Sequence, residues 1–97
     1  MPAQANNTKE MKTAVWDTYL TKKDGTVMHF DIIVPSHITD AAVIYRYGKS
    51  YLKTKGQESQ SLTSEQCRFC HIEMADPQQE AAIGEKGYYI YEMENCN

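Results

Sequence analysis

Clustered positive charge is missing from this sequence: ten Lys and Arg are scattered among thirteen Asp and Glu, for a net charge of −3. With no basic block to neutralise a run of phosphates, nucleic acid is not expected as a partner, nor is an anionic membrane surface. Long apolar runs are missing too. None approaches the roughly 20 residues that a bilayer-spanning helix needs. The opening MPAQANNTKEMK has no hydrophobic segment of the signal-peptide kind, so a cytoplasmic location is the expectation. Glycine-rich phosphate loops, a Ser-His-Asp order and paired-carboxylate motifs are lacking, and nothing marks the chain as an enzyme. Cysteine is scarce and odd in number, three in 97 residues. That suits reduced thiols or metal ligands better than a disulfide framework.

What is present reads as one small domain. A chain of this length buries roughly 60–65% of the surface it exposes when unfolded, so a bound metal or a dimer interface would add useful stability. Seven Tyr stand against two Phe and one Trp. Tyrosine keeps one end wet, which places several at the core boundary or at an interface.

Residues 1–11 are polar and aperiodic and read as a mobile tail, leaving 12–97 as the domain. Thr13–Tyr19 and Val27–Val34 are β-rich and flank Asp24-Gly25, a strong hairpin signal. A two-residue loop there sets Tyr19 opposite Phe30 and Val15 opposite Val34. One face then carries Val15, Asp17, Tyr19, Met28, Phe30, Ile32 and Val34, and is expected to be the core. The other carries Trp16, Thr18, Leu20, His29, Asp31 and Ile33. A slip of one residue would exchange faces.

Pro35-Ser36-His37-Ile38 breaks the second strand. Thr39 or Asp40 caps a helix running to about Lys55, with Gly56 at its C-terminal cap. Ala41, Ile44, Tyr45, Gly48, Tyr51 and Leu52 form one stripe at helical spacing. Gly48 costs about 1 kcal/mol there relative to Ala, which implies a close approach to the sheet. A short strand is expected near Ser59–Thr63. Asp76 caps a second helix, Pro77 opens it, Gln79 completes a capping box and Gly87 ends it after Lys86. Tyr88–Met93 is the last strand, with Tyr89 and Tyr91 on one side. The expected fold is α+β, ordered ββαβαβ, with a four-stranded mixed sheet and two helices.

The run Cys67-Arg-Phe-Cys70-His71 is where spacing itself suggests chemistry. A strand–helix–strand connection within one sheet is expected to make its strands parallel. Applied to the second helix, that rule brings the end of the third strand, with Cys67 and Cys70, beside the end of the fourth, with Cys96. Applied to the first helix, it adds His37. Cys67, Cys70 and Cys96, with His71 or His37, would then form a structural zinc-type site. A thiol–disulfide switch between Cys67 and Cys70, resolved by Cys96, is the alternative; a Thr63-x-x-Gln66 box there could open a short helix. Covalent haem attachment matches Cys-x-x-Cys-His letter for letter but needs export. Buried free cysteines acting as small hydrophobes complete the choices.

His29 and Asp31, two apart on a strand, point the same way and join Thr18 in a polar patch that reads as a solvated strand face. Asp17, on the expected core face, should bind local backbone or a hydroxyl. Tyr89 and Tyr91 should pack on a helix or a second subunit, so a homodimeric interaction module is a further possibility.

The residues Asp17-Thr18-Tyr19, Lys23-Asp24-Gly25, Met28-His29-Phe30-Asp31, Thr63-Ser64, Cys67-Arg-Phe-Cys70-His71, Gly87-Tyr88 and Met93-Glu94-Asn95-Cys96-Asn97 together resemble the DUF2024 family, small bacterial proteins of uncharacterised function. The resemblance covers residues 12–97. It implies two helices and four strands in one compact domain, and it carries no activity, substrate or cofactor. Asn95 departs from the family pattern, where Gly is expected.

Overall fold

The structure is a computed structural model that describes residues 11–57 and 62–97. Residues 1–10 of the tail expected over 1–11, and most of the strand expected near Ser59–Thr63, lie outside those residues. The described elements run β1 (Lys12–Thr21), β2 (Val27–Pro35), α1 (Ala41–Thr54), β3 (Cys67–Met74), α2 (Pro77–Lys86) and β4 (Tyr89–Glu94). The expected order ββαβαβ is therefore realised.

The sheet itself is a correction. Its strands lie in the order β3-β1-β2-β4, and all three pairings are antiparallel, so it is not mixed. The hairpin β1–β2 takes the centre, and each later strand adds to a different edge. β2 and β3 still run the same way, because both oppose β1. β3 and β4 run in opposite directions on opposite edges, so the parallel pair expected across the second helix does not exist.

The hairpin is shifted by one residue from the two-residue-loop register: Thr18 faces Phe30, and Ala14 faces Val34. The Gly25 N–H donates to the Lys22 carbonyl and the Lys22 N–H to the Thr26 carbonyl, while Gly25 takes a positive φ of 92°. This is the three-residue loop with a left-handed third residue. Its odd length exchanges the faces of β1 alone. Ala14, Trp16, Thr18 and Leu20 join Met28, Phe30, Ile32 and Val34 on one face, and Val15, Asp17 and Tyr19 join His29, Asp31 and Ile33 on the other. Asp17 is thereby removed from the Phe30 face, which holds the main core.

α1 covers that core face. Asp40 caps it by accepting from the Ala42 N–H, and Ile44, Gly48, Tyr51 and Leu52 are its buried residues. A Cβ on Gly48 would press into the Leu62 side chain and meet Ile32 Cδ1 at 3.0 Å. The close approach anticipated at that glycine is real. α2 has the expected caps: the reciprocal Asp76–Gln79 box, Pro77 in the first turn and left-handed Gly87 at the end. Tyr51 ties α1 to the β4 edge by donating its hydroxyl to Glu92 Oε2 at 2.5 Å, and Lys55 adds an ion pair to the same oxygen at 3.0 Å. Asn95, at the position where Gly was expected, adopts a left-handed φ of 55°, and its amide donates to the Val27 carbonyl.

β3 (Cys67–Met74) lies after the third strand expected near Ser59–Thr63 and does not coincide with it. Thr63 and Gln66 do meet, with the Thr63 N–H and hydroxyl both donating to Gln66 Oε1, while the Thr63 hydroxyl accepts from the Glu65 N–H. This contact closes a turn that leads straight into β3 rather than opening a helix. Cys67 opposes Thr18 and Phe69 opposes Trp16, whereas His71 opposes Val15. Cys70 is thus the extra residue of a β-bulge. No helix among the described residues is long and apolar enough to cross a membrane.

Candidate functional site: an aspartate–histidine–aspartate group on the sheet

The five residues expected to share a metal are not brought together. Cys67 opens β3 at one edge of the sheet and is buried on the core face. Cys96 follows β4 at the other edge, where its thiol lies 3.4 Å from the His29 carbonyl and 3.2 Å from that of Glu94. Two strands intervene, and at about 4.8 Å per spacing the edges stand roughly 14 Å apart. Cys70 is exposed on the bulge. His37 lies beyond the Pro35 end of β2, opposite the end of β1 that Thr18 and Cys67 approach. All three cysteines are free thiols.

Burial raises the Cys67 thiol above its ordinary range, although the Thr18 hydroxyl opposes that shift. This is the wrong direction for a nucleophilic thiolate. His71 stays local and exposed, with Nδ1 3.1 Å from Cys70 Sγ and Nε2 2.9 Å from Glu73 Oε1.

What the shifted hairpin assembles instead is a group on the opposite face. Asp17 and Asp31 are directly paired across β1 and β2, and His29 is paired with Tyr19 one step along. His29 Nε2 lies 2.6 Å from Asp17 Oδ1, and the Tyr19 ring stacks on the imidazole at 4.0 Å. One ligand atom from each of Asp17, His29 and Asp31 falls within 4.8 Å of the other two. Among the described residues no other set of three His, Cys, Asp or Glu is so close.

Asp31 is the unusual member. It is only 8% exposed, and its Oδ1 is enclosed without a hydrogen-bond partner. Burial, then the Asp17 carboxylate opposite, push its carboxyl up to about 6; His29 and His71 pull the other way. Buried acceptors rarely go unpaired in folded proteins, and two facing carboxylates cannot both ionise freely without a proton or a cation between them.

Sequence reasoning placed His29 and Asp31 together but substituted Thr18 for Asp17. Thr18 is on the core face, and Asp17 binds the His29 ring instead of local backbone or a hydroxyl. The hairpin register decided this. A hollow of about 460 Å³ between Tyr51, Ala82, Tyr88 and Ile90 and one of about 310 Å³ beside Trp16 both lie away from the group.

An antiparallel four-stranded α+β domain with a pair of facing carboxylates, one of them buried, and a histidine is therefore the class that fold and site define. The chain belongs to the family described as "Domain of unknown function (DUF2024)", which matches residues 11–93. It is similar to the NMR structure of protein NE1680 from Nitrosomonas europaea, with 44% identity and a TM-score of 0.78, over 90% of this chain and 100% of that one. No curated protein matches.

Proposed function

We propose that this domain binds a first-row divalent metal ion, zinc in the first instance, between Asp17, His29 and Asp31. The metal site moves from the cysteines to the sheet face where two carboxylates and an imidazole already converge. The observation that carries this reading is the enclosed, unpartnered Oδ1 of Asp31 facing a second carboxylate. A cation would give the Asp31 Oδ1 the partner it lacks and offset the repulsion between the two carboxylates.

Two oxygens and one imidazole nitrogen suit zinc or a neighbouring divalent ion. Ligand atoms about 2.0–2.2 Å from a tetrahedral zinc are about 3.3 Å from each other. His29 Nε2 and Asp17 Oδ1, 2.6 Å apart, must therefore separate slightly to bind. Three protein ligands leave a coordination position open, as in sites that hold a water or small ligand rather than purely structural ones. We place this module in the cytoplasm, without a nucleic-acid partner.

The test is a zinc titration of chelator-stripped, tag-free protein, read as heat of binding and as the rise in unfolding midpoint. One ion per chain is expected. Asp31→Asn should abolish the rise, and Cys96→Ser should leave it in place. A zinc response that survives Asp31→Asn but is lost in Cys96→Ser would return the metal to the thiols.

A further inference from the structure

The β3 edge carries an interaction surface, and its sequence says what fits it. β3 ends the sheet, so one side of its backbone has no neighbouring strand among the described residues. Natural edges are usually blunted by charged side chains (lysine above all), proline, bulges or covering elements; β3 has the bulge at Cys70 and the charges of Arg68 and Glu73. The β3 sequence Cys67–Met74 contains neither Lys nor Pro, and Phe69, Ile72 and Met74 are 51%, 48% and 49% exposed.

The bulge at Cys70 shifts the alternation by one residue. Cys67, Phe69, Ile72 and Met74 consequently share the core face, and Arg68, His71 and Glu73 share the other. In an unbroken strand, residues five apart point to opposite faces. Here Arg68 and Glu73 do not.

We infer that β3 pairs with β3 of a second copy of this chain, antiparallel, about a two-fold axis between Cys70 and His71. That full-length register sets Cys67 opposite Met74, Arg68 opposite Glu73, and Phe69 opposite Ile72. Every such pair lies on one face, opposite charges meet twice, and the exposed apolar side chains meet twice. Such cross-strand pairs are the unit of sheet stabilisation, and an isologous contact of this kind closes after two copies.

The groove beside the edge extends the contact. Trp16, Ile38, Phe69 and Ile72 line its apolar wall, and Phe69 packs edge-on against Trp16 at 5.9 Å. Pairing continues this wall into the second copy. β4, the other edge, offers no equivalent: it carries Glu92 and Glu94 with no basic residue, so self-pairing would oppose nothing to its acids. The two edges are thus distinguished by charge; Arg68 lies opposite Asp17 across β1 and β3, so zinc binding of each variant is measured beside its association.

The test uses the full chain in sedimentation equilibrium with charge-reversed variants. Both positions are exposed on the sheet surface, so the variants should fold. Wild type should be a dimer. Arg68→Glu and Glu73→Arg should each weaken it by roughly tenfold or more, since like charges then oppose at two symmetric places. Combining Arg68→Glu with Glu73→Arg should restore association, because the swapped pair is again complementary. A monomeric wild type overturns the inference. So does a dimer indifferent to single reversals, or one that the double variant fails to restore.

Discussion

Asp17 and Asp31 stand opposite each other across the central hairpin, and the imidazole of His29 reaches Asp17 at 2.6 Å. The arrangement exists because the loop at Asp24-Gly25 uses three residues. With a two-residue loop, Asp17 would have pointed into the hydrophobic core and left Asp31 without a carboxylate opposite.

Asp31 should leave a mark on stability against pH in metal-free protein. Its carboxyl is raised from 3.8 to about 6 by burial and by Asp17. Between those values the folded chain holds more of this proton than the unfolded chain does, so its contribution is full below about pH 4 and is lost as pH rises through about 6. Urea unfolding in chelator should show wild type losing stability relative to Asp31→Asn across that window. A constant difference between the two proteins would contradict the shift.

Gly48→Ala should destabilise the domain even though it improves helix propensity. Propensity favours Ala by about 1 kcal/mol, but the added methyl presses into Leu62 and meets Ile32. Overpacking of that kind costs about 1–3 kcal/mol. A net loss near 1 kcal/mol is expected by urea denaturation, and it should shrink in a Leu62→Ala background, where the contact is gone.

Tyr51→Phe should cost about 1.5 kcal/mol, the low end of the range for a hydrogen bond to a charged acceptor, because the Glu92 side chain is half exposed. The Tyr51 hydroxyl is the first cause, and Lys55 the second, holding the Glu92 carboxyl below its ordinary range. In the variant that carboxyl should titrate closer to normal, which side-chain NMR can follow. An unchanged Glu92 titration would mean the hydroxyl does not reach it in solution.

At Asn95 the left-handed backbone and the amide bond to Val27 make separable contributions. Asn95→Gly accepts the angle and loses only the bond. Asn95→Ala loses both and should be less stable than the glycine variant by about 1 kcal/mol. Equal thermal midpoints for the two variants would show that the angle relaxes.

The helices were legible because their signals are local. Asp76, Pro77, Gln79 and Gly87 determine one helix within a dozen positions, and the Ile44-Gly48-Leu52 stripe marks the other. β3 was misplaced because the bulge at Cys70 breaks the alternation of Cys67 and Phe69 with Ile72 and Met74, hiding a strand behind a pattern that resembles a ligand motif. The cysteines are not gathered because β3 and β4 take opposite edges. Which edge a strand joins depends on competition between distant surfaces, and the crossover rule assumed the same edge for both. The aspartate group was half visible: His29 and Asp31 share a strand, but Asp17 joins them only through a loop whose length Asp24-Gly25 leaves ambiguous.

Anomalous diffraction at the zinc edge, from crystals grown with one equivalent of zinc, tests the central assignment most directly. The expected result is a single strong peak about 2 Å from Asp17 and Asp31 carboxylate oxygens and from His29 Nε2. A peak on Cys67, Cys70 or Cys96, or no ordered peak at the hairpin, would contradict it.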